Sequence, residues 1–157
     1  MADDLHGFID AMRHRGPDGH GTWISKSKRL GLAHTRLAII DLDDRAAQPM
    51  SDDDGWTIAF NGEIYNYKSL RAELTQRGFQ FKTSSDTEVV LKAYRCWGER
   101  ALTKLRGMFA IAIAGPNQDE IFLARDPFGI KPLYFSADGQ YVRFASEIAA
   151  LRPFSRK

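Results

Sequence analysis

The sequence predicts an α+β fold, and three observations carry the prediction. Beyond a short helical segment at the start, β-rich segments are followed by helical periodicities and then by β-rich segments again, an order that puts sheets and helices into separate layers. The 157 residues amount to about one domain. No repeat, low-complexity tract or linker divides residues 1–157, so one domain is expected over the whole span.

The first element is a short amphipathic helix over Asp3 to Arg13, with Leu5, Phe8, Ile9 and Met12 at i, i+3, i+4 and i+7, acids at its start and bases at its end. Arg15-Gly16-Pro17-Asp18-Gly19 stops it in a loop, because proline disfavours a helical residue before it. Thr22 to Ile24, Leu30 to Ile40 and Trp56 to Phe60 are rich in β-branched and aromatic residues between Asp/Gly/Ser/Pro clusters, and read as three strands. Asn66 is an expected N-cap for a helix to about Arg77, with Tyr67, Leu70 and Leu74 on one face and Gly78 as its stop.

Ser85-Asp86-Thr87-Glu88 reads as a capping box, in which Ser85 accepts from the backbone N–H three residues on and Glu88 reaches back. Val89, Val90, Ala93, Tyr94 and Trp97 continue the helix to Gly98, and Ala101 to Leu105 reads as a further short one. Met108 to Ala114, Ile121 to Ala124, Leu133 to Phe135 and Tyr141 to Ala145 are short β-rich runs joined by turn residues, which predicts an antiparallel meander.

Composition excludes several classes. Lys and Arg total 22 against 20 Asp and Glu, a net charge of +2, and 43% of residues are apolar, so neither disorder nor a dedicated nucleic-acid binder fits. Cys96 is the one cysteine, which leaves no intrachain disulfide and no spaced-cysteine zinc cluster. The acidic start, Met1-Ala2-Asp3-Asp4-Leu5, does not read as a secretory signal, and no apolar stretch approaches the roughly 18 residues of a membrane span. A cytoplasmic protein with no nucleic-acid or membrane partner is the expectation. His6, His14, His20 and His34 lack metal-ligand spacing, and the glycines form no phosphate-binding loop, so no metal is expected.

Four places carry residues suited to chemistry. In Phe60-Asn61-Gly62-Glu63-Ile64-Tyr65-Asn66 a strand is expected to end in Asn-Gly, which reads either as a tight turn or as an oxyanion hole of one backbone N–H and one side-chain amide. Arg36 interrupts an apolar strand, either at a solvent-facing edge or as a bidentate clamp on a carboxylate. Asp86 stands in the first turn of a helix, where an acid needs no ligand to explain it. A fixed cation at Arg36, anions at Glu63 and Asp86 and donors at Asn61 and Gly62 would together suit a zwitterionic amino acid with an electrophilic carbonyl. Cys96 lies near a helix C-terminus, which disfavours thiolate, and is expected to pack rather than react.

A set of segments in order carries a resemblance: His14-Arg15-Gly16-Pro17-Asp18-Gly19, Ala33-His34-Thr35-Arg36-Leu37-Ala38-Ile39-Ile40-Asp41, Gln48-Pro49-Met50, Phe60 to Asn66, Ser84-Ser85-Asp86-Thr87-Glu88, Leu105-Arg106-Gly107-Met108-Phe109-Ala110, Arg125 to Tyr134 and Ala145-Ser146-Glu147. They resemble the class II glutamine amidotransferase domain, the N-terminal part of glutamine-hydrolysing asparagine synthetases. The resemblance implies a four-layer αββα sandwich of the N-terminal-nucleophile hydrolase kind. It also implies glutamine as substrate, with Arg36, Leu37 and Ile39 on the carboxylate-binding strand. Gly62, Glu63 and Asp86 would hold the amino end, and Asn61 with Gly62 would form the oxyanion hole. No cofactor is implied for this domain; ATP and magnesium belong to a synthetase domain in the full-length or a partner chain, which uses the released ammonia.

That family begins Met-Cys-Gly-Ile, and its second residue is the nucleophile, its own α-amine serving as base. Here residue 2 is Ala2, and after Ala145-Ser146-Glu147-Ile148 no Ser-Gly-Gly-x-Asp-Ser loop for ATP appears before Lys157. The expectation is therefore a domain truncated at both ends, its first strand missing, inactive as written. The missing strand would leave a sheet edge bare and favour poor solubility or a homo-oligomer. The alternatives are a non-catalytic glutamine-binding or regulatory module, and an unrelated structural domain.

Overall fold

Residues 1–36, 47–116 and 119–152 are described by the structure, a computed structural model. Helix α1 (Ala2–Met12) buries Leu5 and Ile9 and carries Asp3 and Asp4 in its first turn. The bases expected at its end fall in a 3₁₀ turn, Arg13–Arg15. Strand β1 (Gly19–Ile24) begins earlier than predicted and pairs antiparallel with β2 (Gly31–Arg36), Gly19 standing opposite Arg36. The predicted strand to Ile40 is followed as far as Arg36; Leu37 and Ile39 lie outside the described residues.

A second sheet has the order β3-β4-β5-β6, every pair antiparallel: β3 (Met50–Ser51), β4 (Thr57–Ile64), β5 (Gly107–Ala114) and β6 (Ile121–Arg125). Strand β4 does not end at Phe60 in an Asn-Gly turn; Asn61 and Gly62 are strand residues opposite Ala110 and Phe109. Glycine is needed there for close approach rather than for turning, since a Cβ on Gly62 would overlap the Met108 carbonyl oxygen and lie 2.8 Å from Phe109 Cα.

Helices α2 (Tyr67–Gln76) and α3 (Asp86–Trp97) cover this sheet. Leu70, Leu74, Val89, Val90 and Leu91 meet Ile58, Phe60, Ile64, Ile111 and Ile113 in the main core. The caps differ from expectation. Asn66 sits at the N-cap position of α2 without capping it; its Nδ2 donates to the Lys104 carbonyl and its Oδ1 accepts from Arg106 N, tying the strand exit to the approach of β5. Ser85 does cap α3, but from Thr87 N, two residues on. Glu88 turns away from it to accept from Lys82 N, Thr83 N and Thr83 Oγ1. The short helix predicted over Ala101–Leu105 is a 3₁₀ segment, Gly98–Thr103.

The final β-rich runs do not form one meander. β5 and β6 extend the central sheet, whereas β7 (Tyr134–Ala137) and β8 (Val142–Ala145) make a separate hairpin. Between them the 126–131 loop is built around buried Asp126, which accepts from Phe109, Phe128, Ile130 and Lys131 backbone N–H groups. A four-residue helix, α4 (Ile148–Leu151), packs on that hairpin and touches α1, which packs on β1 and β2. The layers run α1 and α4, the two hairpins, the four-stranded sheet, then α2 and α3: an αββα sandwich. Among the described residues, no helix is long and apolar enough to cross a membrane.

Candidate active site

The site grows from a strand edge. β4 pairs with β5 over its whole length but with β3 only at Thr57 and Ile58, so from Phe60 onward its other edge has no strand partner among the described residues. Backbone N–H groups alternate along a strand, and those of Phe60, Gly62 and Ile64 face this open edge. Side chains satisfy the outer two: Phe60 N donates to Gln48 Oε1 at 2.6 Å, and Ile64 N donates to Asp86 Oδ2 at 3.0 Å. The Gly62 N–H lies between them, with Asn61 beside it. Asn61 Nδ2 donates to Ser146 Oγ at 3.4 Å.

Asp86 comes to this edge because Ser85 begins α3 just below it. Burial pushes the Asp86 carboxyl above the usual carboxylate range, the Ile64, Thr87 and Asp86 backbone N–H groups oppose that, and the negative charge of Glu63 adds to the rise. Two carboxylates so placed favour a cation between them.

Arg36 ends β2 on the facing sheet. Asp18 N donates to its carbonyl at 3.1 Å, and Pro17 bridges to it. Gly16 is pressed so closely on this strand that a Cβ there would lie 2.5 Å from Arg36 N. His34, two residues earlier and hence on the same face of β2, stands between the sheets, with its ring set against the Phe60 backbone. Burial lowers its pKa to about 4, the Phe60 backbone opposing and the Arg36 charge adding, so the ring is neutral at physiological pH. Its Nδ1 is buried without a partner.

Asn61, Gly62, Glu63 and Asp86 are thus brought to one edge, and Arg36 stands on the strand that His34 holds against it. Leu37 and Ile39 lie outside the described residues. Cys96 is at the other end of α3, ten residues from Asp86 or about 15 Å of helix, packed beside the core. No local pattern in the sequence marks Gln48, His34 or Ser146 for a role. Their partners are 12, 26 and 85 residues away in sequence, which no local pattern displays. Among the described residues, no cluster of three or more His, Cys, Asp or Glu side chains could hold a metal.

Residues 1–156 match the family model described as a glutamine amidotransferase domain. Asparagine synthetase [glutamine-hydrolyzing] 1 of Bacillus subtilis (strain 168) is 49% identical over 139 residues, 88% of this chain and 22% of that protein. Asparagine synthetase B [glutamine-hydrolyzing] of Escherichia coli (strain K12) is 45% identical over 148 residues, 92% of this chain and 26% of that protein. The chain therefore spans about a quarter of the length of these curated relatives. Among solved structures, the glutamine phosphoribosylpyrophosphate amidotransferase of B. subtilis, complexed with ADP and GMP, matches with a TM-score of 0.77. That match is 23% identical and covers 96% of this chain and 40% of that one, a likeness of fold.

Proposed function

This chain belongs to the glutamine amidotransferase domain family, and from that membership we propose that the open edge of β4 binds glutamine for release of its side-chain amide as ammonia. The observation that carries the reading is the Gly62 N–H, left between two neighbours capped from the same side, with the Asn61 amide beside it. Arg36 clamps the α-carboxylate of the substrate, and the Glu63–Asp86 pair holds its ammonium. The side-chain carbonyl then lies against Asn61 Nδ2 and Gly62 N.

When a thiolate adds to that carbonyl carbon, the C=O electron pair moves to oxygen and these two donors receive the charge. Each such donor is worth about 10²–10³ in rate. Collapse breaks the C–N bond, nitrogen leaves as ammonia after taking a proton, and water hydrolyses the thioester to glutamate. In this reading the thiolate comes from outside these 157 residues, because Cys96 is their one thiol and packs at the far end of α3. The ammonia passes to a separate synthetase domain, in the same or a partner chain, where ATP and magnesium belong. The names of the relatives support this, since they are glutamine-hydrolysing asparagine synthetases.

The position of Cys96 also favours a second reading, in which the chain binds glutamine without consuming it. One experiment separates the two: calorimetric titration with glutamine beside an assay for released ammonia, on this chain and on a form carrying an appended Met-Cys-Gly start. Binding by both with ammonia from the extended form alone supports the glutaminase reading. Binding by both with ammonia from neither supports the binding module, and binding by neither overturns both.

A further inference from the structure

Asn61 can serve an oxyanion only if its amide is turned one way and held there, and nothing in β4 itself does this. Strand pairing fixes its backbone opposite Ala110 but leaves the side-chain torsions free. The side chain meets its partner 85 residues later in the chain: Nδ2 donates to Ser146 Oγ at 3.4 Å. A primary amide has two N–H donors. Committing one of them to a fixed acceptor sets the direction of the other.

Ser146 is itself anchored. It follows β8 directly, and its neighbour Glu147 occupies the N-cap position of α4 in extended conformation without capping that helix. The Glu147 carboxylate turns instead to the opposite end of the sequence, where Oε1 accepts from Arg15 Nη1 at 3.0 Å and from His14 Nε2 at 3.1 Å. These bonds from Arg15 and His14 hold the Glu147 carboxyl below the usual carboxylate range. Arg15 adjoins Gly16, the residue pressed against Thr35 and Arg36. One dipeptide therefore touches both the amide of Asn61 and the loop that backs Arg36.

We propose that Ser146 is a positioning residue for the amide of Asn61, and that Glu147 anchors it through Arg15 and His14. The proposal rests on the glutamine-binding reading, in which the amide so aimed meets the side-chain carbonyl of the substrate. The Glu147 anchor spans 132 residues of sequence and sets Ser146 within the reach of a hydrogen bond, which is how a supporting shell holds a site in register.

The test is a double-mutant cycle with two readouts, on the whole chain. Glutamine affinity by calorimetry should fall about fivefold in Ser146→Ala, the worth of one ordinary hydrogen bond. It should fall at least as far in Asn61→Ala and no further in the double variant. Ser146→Thr, which keeps the hydroxyl, should restore the affinity. The second readout needs no ligand: the side-chain ¹⁵N–¹H₂ resonances of Asn61, identified by their loss in Asn61→Ala, should shift and exchange faster in Ser146→Ala and in Glu147→Ala, while thermal melting shows each variant folded. If the parent does not bind glutamine, the functional reading falls and the amide resonances still decide the positioning claim. Unchanged Asn61 resonances in Ser146→Ala, or full additivity of the two substitutions in glutamine affinity, overturn the proposal.

Discussion

His34→Gln should flatten the acid side of the stability curve. In the folded chain the ring stays neutral down to about pH 4, because burial opposes its charge, whereas in the unfolded chain it takes up a proton near 6.5. Between those values the unfolded state binds more protons, so stability from this residue is whole above 6.5, declines as the pH falls, and levels off below about 4. At 1.36 kcal/mol per pH unit, the interval amounts to about 3 kcal/mol. Glutamine removes the titration and keeps an N–H able to reach the Phe60 carbonyl. Asp86 acts in the opposite sense, since burial raises its carboxyl and protonation in acid relieves the folded state. The diagnostic quantity is accordingly the difference between parent and variant. Urea unfolding at pH 7.5, 6, 5 and 4 should show the parent losing about 3 kcal/mol relative to the variant across that range. Parallel curves would refute the claim that a buried neutral histidine joins the two sheets.

Three further outcomes follow from the geometry. Gly62→Ala should destabilise the chain by about 2 kcal/mol or more in urea unfolding, since its Cβ would force β4 away from the Met108 carbonyl, and an unchanged midpoint would contradict the register. Asp126→Ala should cost about 3 kcal/mol by orphaning four backbone N–H groups, with Asp126→Asn intermediate. The Asp126 carboxyl resists burial through those same bonds and lies below its ordinary range, so its contribution is present at neutral pH and lost as the pH falls through that lowered value. Cys96→Ser should leave glutamine affinity in calorimetry unchanged, because the thiol lies at the far end of α3 from Asp86.

Helices α1 and α3 are plain in the sequence because their signals are local, whereas the four residues of α4 are too few to show a periodicity. Leu5 and Ile9 in α1, and Val89, Val90 and Ala93 in α3, repeat at helical spacing and are all buried. What the sequence obscured was set by distant partners. Asn61-Gly62 has the composition of a turn, yet the glycine is there to let two backbones meet, which depends on Met108 and Phe109 some 46 residues on. Of the Ser85 box only the serine half forms, because Glu88 finds better donors in the Lys82–Thr83 backbone than in its own N-cap. The split of the last four strands into two sheets follows from the Asp126-centred loop, whose organisation is a matter of side-chain to backbone bonds rather than periodicity. Within the site, Asn61, Gly62, Glu63, Asp86 and Arg36 could be nominated by residue type. The carboxylate of Asp86 reaching Ile64 N, and the capping of Phe60 N and Ile64 N on either side of Gly62, required the fold.

The most direct test of the proposed glutamine site is a nuclear magnetic resonance titration of the ¹⁵N-labelled chain with glutamine, repeated on Arg36→Ala. Saturable shifts centred on Arg36, Asn61, Gly62, Glu63, Ile64 and Asp86 are expected, abolished in the variant while its spectrum remains that of a folded protein. Shifts centred elsewhere, or a titration that Arg36→Ala leaves intact, would contradict the glutamine-binding reading.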